Sequence, residues 1–90
     1  MKIPIKFRGR GLDGKMRFGH YVTLDDYPFI KQDGCYYEVY PDSVAQLVGY
    51  DSAGNEVYEG DLLETHGGEL VADMSLCAAI SLYKLKEVQA

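Results

Sequence analysis

The chain has 90 residues and a net charge of −5, with 47% hydrophobic residues and eight tyrosines. This length predicts a single domain, residues 1–90, whose modest core would gain from self-association. The composition excludes a disordered chain, and no segment is long and apolar enough for a membrane span or a signal peptide. The sequence therefore predicts a cytoplasmic protein with reduced cysteines and no membrane partner.

The charged residues are segregated along the chain. Residues 1–17 hold six basic groups and one acid, whereas residues 18–74 hold one basic group and twelve acids. Two interpretations are open: one mixed solvated surface, or a basic face that meets an acidic face on another copy or on a protein partner. Direct binding of nucleic acid is a third interpretation, which the net negative charge disfavours.

The chain begins with two predicted strands. The alternation over Lys2–Arg8 predicts a strand, and Pro4 has no amide hydrogen to donate. We therefore expect an edge strand, or one whose Pro4 position faces solvent. Gly9–Gly14 is a predicted turn. Met16–Thr23 follows as a second strand, with His20 as a packing residue on its more apolar face.

A hairpin with a tyrosine-rich return strand comes next. Asp33-Gly34 favours a tight turn between strands Tyr27–Lys31 and Cys35–Tyr40. In the return strand, Tyr36 and Tyr40 share a face. Either they form a contact surface, since tyrosine combines a large apolar area with a polar tip, or another strand or protomer covers them.

The best punctuated part of the sequence is Ser43–Glu64. Ser43–Tyr50 alternates with apolar residues on both faces, which predicts a strand covered on both sides. A turn over residues 51–55 leads to a short partner strand, Glu56–Tyr58, and then to a glycine break. The residues expected to form the turns of this segment are Asp51, Gly54, Tyr58, Glu59, Gly60 and Asp61.

The remaining elements complete a mainly β prediction. Leu62–Glu64 and Glu69–Asp73 are strands joined by a tight loop with His66 exposed at its tip, and Pro41–Ser43 is a candidate helical turn. Met74–Val88 predicts a short helix or turn followed by a closing strand. The expected fold is a small antiparallel sheet or partly open barrel built from hairpins, or an α+β fold with one short helix.

The sequence contains no recognisable catalytic or metal motif. The candidates for catalysis are His20, His66, Asp61, Cys35 and Cys77, and their spacing matches no known constellation. The two cysteines are expected to be buried small hydrophobes. We therefore predict a protein that is not an enzyme and that uses no metal or cofactor.

The central segment resembles the signature of the YopX family of phage and prophage proteins. The residues that carry the resemblance are Val44-Ala45-Gln46, Gly49, Asp51, Gly54, Val57-Tyr58-Glu59-Gly60-Asp61 and Leu62-Leu63, with support from Lys6-Phe7-Arg8, Met16–Val22 and Cys35–Tyr40. The resemblance covers residues 5–64 and does not extend over residues 65–90. Within it, Gly9-Arg10-Gly11 departs from the aromatic or acidic pair that the family often has there.

The resemblance implies a small β-rich fold in the cytoplasm of a bacterial host and an origin in a phage, prophage or mobile element. It implies no activity and no catalytic residues. We therefore expect an accessory protein that acts by protein contact or self-assembly. The alternative is a small β-barrel that binds single-stranded nucleic acid through its basic first strands. The residues expected to form an interaction surface are Arg8, Arg10, Arg17, Tyr36 and Tyr40.

Overall fold

A computed structural model describes residues 3–86 of the chain, which form nine strands and three short 3₁₀ helices. The strands are β1 (Phe7–Arg10), β2 (Met16–Leu24), β3 (Tyr27–Gln32), β4 (Cys35–Glu38), β5 (Ala45–Tyr50), β6 (Glu56–Tyr58), β7 (Leu62–Thr65), β8 (Gly68–Val71) and β9 (Lys84–Leu85). The 3₁₀ helices are Pro41–Ser43, Met74–Leu76 and Ile80–Leu82. No helix in the described part is long and apolar enough to cross a membrane.

The mainly β prediction is confirmed. The strands form a six-stranded antiparallel sheet in the order β4-β3-β2-β1-β5-β6 and a three-stranded sheet in the order β8-β7-β9. Within residues 3–86, neither sheet is closed into a barrel. The chain divides into two compact units. The N-terminal unit is Pro4–Gln46, and the C-terminal unit contains Ile3 and the described residues from Leu47 onward.

For the first strand of the N-terminal unit, the predicted edge position is wrong, whereas the predicted alternative of a Pro4 position that faces solvent agrees with the structure. The strand begins at Phe7 and pairs with β2 on one side and with the first residues of β5 on the other. Pro4 precedes the strand and is exposed, so it removes no ladder hydrogen bond. A bridge between Gly11 and Val39 also brings the end of β1 to the end of β4. Phe7 and Arg8 of the basic first strand are therefore paired on both sides.

Two-residue turns join the hairpins of this unit. Asp33 and Gly34 have φ angles of 52° and 83°, and Asp25 and Asp26 have φ angles of 52° and 68°. Both turns therefore have the left-handed backbone that matches the twist of the flanking strands. The predicted Asp-Gly hairpin is confirmed. The turn at Asp25-Asp26 makes β2 and β3 a second tight hairpin.

The C-terminal unit has its own hydrophobic core. Its fully or almost fully buried members are Val48, Val57, Leu63, Ala72, Ile80 and Leu85. The predicted burial of both faces of the central strand is confirmed, because Leu47 and Val48 are each at most 1% exposed although they point to opposite faces. Each large side chain in such a core contributes about 1.5–3 kcal/mol through removal of apolar surface from water.

The predicted end of the chain is partly correct. A short helical segment is present at Met74–Leu76, a second follows at Ile80–Leu82, and the closing strand is only Lys84–Leu85. In the Met74–Leu76 helix, the N-cap residue is Asp73, whose carboxylate accepts a hydrogen bond from the Ser75 amide. The predicted strand continues to Val88, which lies outside the described residues.

Candidate functional site

The turn over residues 51–55 is organised around one buried carboxylate. Asp51 is 4% exposed, and its oxygens accept hydrogen bonds from the amides of Ala53 (2.9 Å) and Asn55 (2.8 Å). The same carboxylate accepts a bond of 3.0 Å from the amide of Leu85 in β9. Gly54 has a φ of 86°, which favours a residue without a Cβ atom. Asp51 therefore ties the central hairpin to the last strand.

The second turn of the segment is held in a similar way. Asp61 is 7% exposed, and its carboxylate accepts a hydrogen bond of 2.8 Å from the amide of the buried Tyr58. The Tyr58 hydroxyl donates to Glu56 at 2.9 Å, while Glu59 is exposed. Gly60 has a φ of 89°, and its amide donates a hydrogen bond to the carbonyl of Ala72, the residue directly after β8. These contacts give the Tyr-Glu-Gly-Asp sequence a structural role.

The outer side of the N-terminal unit combines basic and aromatic residues. Arg8 lies opposite Phe18, and Lys31 lies opposite Tyr36, so each pair shares one face of the sheet. The Lys31 ammonium is 5.6 Å from the Tyr36 ring centre. The name basic–aromatic face is used for Lys6, Arg8, Arg10, Phe18, His20, Lys31 and Tyr36, and the strand registers place Met16, Val22 and Phe29 on the same side of the sheet. One acidic residue, Glu38, also lies on this face, opposite Phe29 of the neighbouring strand.

Arg17 does not belong to this face, although the sequence placed it in the interaction surface. Its guanidinium stacks 3.8 Å from the ring centre of Tyr37, and it forms a 2.8 Å ion pair with Asp13. Only 15% of the Arg17 side chain is exposed. A hydrogen bond from the Lys15 amide, with the help of the Arg17 charge and against the effect of burial, holds the pKa of Asp13 below its usual value. The Arg17 guanidinium therefore contacts Tyr37 and Asp13 within the N-terminal unit.

Arg10 and Tyr40 meet at one groove of the N-terminal unit. The groove has a volume of about 550 Å³ and is lined by Arg10, Leu12, Gly14, Tyr40, Asp42 and Ser43. The Arg10 amide donates to the Ser43 hydroxyl at 2.7 Å, and the Tyr40 amide donates to the Arg10 carbonyl at 2.9 Å. Tyr40 is 49% exposed and Tyr36 is 51% exposed. Both tyrosines are thus accessible on the described chain, but Tyr36 lies on the basic–aromatic face and not in this groove.

Sequence reasoning missed a surface at the edge of the second sheet. All four residues of β8 are exposed, and within the described residues this strand pairs only with β7. Leu70 and Val71 are 37% and 58% exposed, and Leu62 opposite Val71 is 41% exposed. The apolar pair Leu70-Val71 was visible in the sequence, but no local pattern indicated that its strand would lie at the edge of a sheet. An unpaired apolar edge is a template for pairing with another strand.

The residues considered for catalysis or metal binding lie elsewhere. His20, Cys35 and Cys77 were expected to be buried, and all three are exposed, so these predictions are wrong. The alternation of the strand correctly placed His20 on the same face as Phe18, but that face is the outer side of the N-terminal unit. The exposed position predicted for His66 is confirmed. Among residues 3–86, no three histidine, cysteine or acidic side chains are grouped in a way that could hold a metal ion.

Comparisons of the chain with protein-family models, with curated proteins and with solved structures found no match in any of the three. The geometry alone therefore has to carry a functional argument. It offers the basic–aromatic face and the exposed edge of β8.

Proposed function

We propose that the chain is a small accessory protein that acts by protein contact or self-assembly and not by catalysis. A phage or prophage origin, membership of the YopX-like family and a place in the cytoplasm of a bacterial host belong to this proposal. They are supported by the resemblance over residues 5–64. The observation that carries the contact role is the exposed edge of β8, which presents apolar side chains and, among residues 3–86, has no strand paired to its outer side.

The charge distribution supports the same role in a different way. Residues 4–46 hold six basic and six acidic groups, whereas residues 47–86 hold two basic and seven acidic groups. The net charge of the chain therefore lies in the C-terminal unit, and the basic–aromatic face lies in the N-terminal one. A contact between these surfaces on two copies would weaken steeply with salt, since exposed charges are screened within about 10 Å at 0.1 M salt. A contact through β8 would not.

A charge placed on the β8 edge tests the proposal. We expect Val71→Lys to weaken self-association at least tenfold, because a lysine on an edge opposes pairing with another strand. The measurement is the mass by light scattering over a range of concentration and salt. The matched control is Leu82→Lys, which puts the same charge on a side chain that is 75% exposed but lies outside the strands.

Three outcomes of these measurements can be distinguished. The proposed edge contact predicts that only Val71→Lys lowers the mass and that the mass of the unaltered chain changes little with salt. A chain that stays monomeric at its highest soluble concentration and low salt would remove self-assembly from the proposal. Equal effects of both substitutions would place the contact away from β8.

Single-stranded nucleic-acid binding is the second candidate, and the basic–aromatic face favours it. Aromatic rings on this face offer stacking surfaces for bases, and the flanking cations suit phosphates. In addition, Tyr40 and Arg10 at the neighbouring groove are both exposed. Residues 4–46 have equal numbers of basic and acidic groups, so the negative charge that disfavours phosphate binding lies mainly in the rest of the chain.

Two double variants, each of which removes two positive charges, test this second candidate. We expect Arg10→Gln with Lys31→Gln to lower the affinity for a short single strand at least tenfold at low salt. The slope of log affinity against log salt should also fall by about 1.4, because two phosphate contacts are lost. The control, Lys15→Gln with Lys84→Gln, removes equal charge from exposed positions off this face and should change neither value. Absence of any binding by the unaltered chain at low salt would contradict this candidate.

A further inference from the structure

We infer that the partner of the β8 edge is a second copy of the same strand, paired antiparallel about a two-fold axis with Leu70 opposite Leu70 and Glu69 opposite Val71. This inference rests on the proposed function, because it names the partner and the register of the self-assembly contact. A continuous sheet in the order β9-β7-β8-β8-β7-β9 would result.

Hydrogen bonds beside β8 fix which of its residues face the free edge. The amide of Ala72 donates to the carbonyl of Asp61 at 2.8 Å, so the backbone groups of Ala72 point toward β7. Backbone groups alternate along a strand, so Leu70 also points toward β7, which agrees with its pairing to Leu63. Glu69 and Val71 therefore present their amides and carbonyls to the open side.

The two outward residues limit the possible two-fold registers. A register centred on Leu70 pairs Glu69 of each copy with Val71 of the other, so every outward group of both strands has a partner. A register centred on Glu69 sets two carboxylates directly opposite each other, which is destabilising. A register centred on Val71 sets Glu69 against Asp73, again with like charges opposed. The sequence of the edge thus favours the Leu70-centred register.

The side chains on both faces are compatible with that register. Leu70 lies opposite the fully buried Leu63, so a second Leu70 beside it would extend the core side of the sheet. Directly opposed residues without mutual hydrogen bonds lie about 4.5 Å apart, which allows close apolar contact. On the other face, Glu69 already forms an ion pair with Lys86, and its new neighbour would be the apolar Val71.

Disulfide trapping tests the register, in a background where Cys35 and Cys77 are replaced by serine because both are exposed. Oxidised glutathione is the oxidant. We expect Leu70→Cys to form a covalent dimer, since opposed Cα atoms lie within disulfide range. The control is Leu62→Cys, which is similarly exposed (41% against 37%) but lies one strand from the edge. The extent of cross-linking should differ at least tenfold.

A second set of variants keeps the test valid if Leu70→Cys does not fold. Glu69→Cys and Val71→Cys are both at exposed positions, and a mixture of the two should form the mixed dimer in preference to either self-dimer. In addition, amide exchange at Glu69 and Val71 should slow as the concentration of the unaltered chain rises. Light scattering on the unaltered chain accompanies each experiment.

The results distinguish failure of the register from failure of the proposed function. If the chain associates but Leu70→Cys cross-links no more than Leu62→Cys, the β8 pairing is wrong and self-assembly stands through another surface. Self-dimers of Glu69→Cys in excess over the mixed dimer would overturn the register alone. A strictly monomeric chain would overturn both.

Discussion

Replacement of Asp51 by alanine is expected to lower the free energy of unfolding of the C-terminal unit by about 3 kcal/mol. The buried carboxylate accepts hydrogen bonds from Ala53, Asn55 and Leu85, and alanine would leave these amides without their acceptor. The bond to Leu85 is the most consequential, because it spans 34 residues and attaches β9 to the central hairpin. Small domains are stable by only about 5–15 kcal/mol, so this loss is large.

Urea unfolding followed by circular dichroism measures the effect. The matched control is Asp51→Asn, which keeps an oxygen acceptor and the side-chain shape but removes the charge. Hydrogen bonds to charged groups are worth more than those to neutral groups, so the asparagine variant should lie between alanine and the unaltered chain. An alanine variant within about 0.5 kcal/mol of the unaltered chain would show that the three amides find other partners.

The same carboxylate makes stability depend on acid. Burial opposes the ionisation of Asp51, but the hydrogen bonds from Leu85, Asn55 and Ala53 together outweigh it and hold the pKa of Asp51 below its ordinary value. A lowered pKa in the folded state means that the stabilisation is complete above the unfolded value of about 3.9 and is lost as pH falls through the folded value. Asp51→Asn should therefore flatten the fall in stability below about pH 4.

The central hairpin could be predicted from sequence because its determinants are local. Asp51, Gly54 and Gly60 act on amides and backbone angles within a few residues, and those interactions follow from residue type. The Asp33-Gly34 turn is predictable for the same reason. The hydrogen bond from Leu85 to Asp51 could not be predicted, because no local sequence pattern links residues that are 34 positions apart.

The interaction surfaces were less predictable because they depend on which strands become neighbours. Lys2–Arg8 reads as an edge strand, but pairing of Phe7 with Gln46 encloses the strand. Arg17 reads as one more surface cation, and only the folded position of Tyr37 turns it into a packed residue. The β8 edge was visible as a strand but not as an edge, because an unpaired side is a property of the whole topology.

The fold also shows that the charge of a surface differs from the charge of the sequence segment that contributes most to it. Segregation along the sequence suggested a basic N-terminal surface made by Arg8, Arg10 and Arg17. In the folded N-terminal unit, Lys31 takes the place of Arg17 beside the aromatic rings, because it lies opposite both His20 and Tyr36. A cation from an acidic stretch of sequence thus joins the basic–aromatic face, so net charge by segment is a poor guide to the charge of a face.

Gly19→Ala is expected to destabilise the N-terminal unit by about 3 kcal/mol or to prevent its folding. A Cβ atom at Gly19 would lie 2.1 Å from the carbonyl oxygen of Lys31 and 3.1 Å from its carbonyl carbon. The obstacle is backbone and not a side chain that can rotate away, so β2 and β3 would have to separate. Gly19 also lies opposite Phe7 of β1, so movement in the other direction disturbs a second ladder.

Gly67→Ala is the matched control, since nothing lies within 4 Å of a Cβ atom there, and its cost should stay below about 0.5 kcal/mol. Urea unfolding gives the difference in stability, and amide exchange locates it. Exchange should accelerate along β2 and β3 in Gly19→Ala and stay unchanged around the core residues Val57 and Leu63 if the two units respond separately. Equal stability of the two alanine variants would mean that β2 and β3 do not pair with His20 opposite Lys31. The basic–aromatic face, which depends on that register, would then lose its geometric basis.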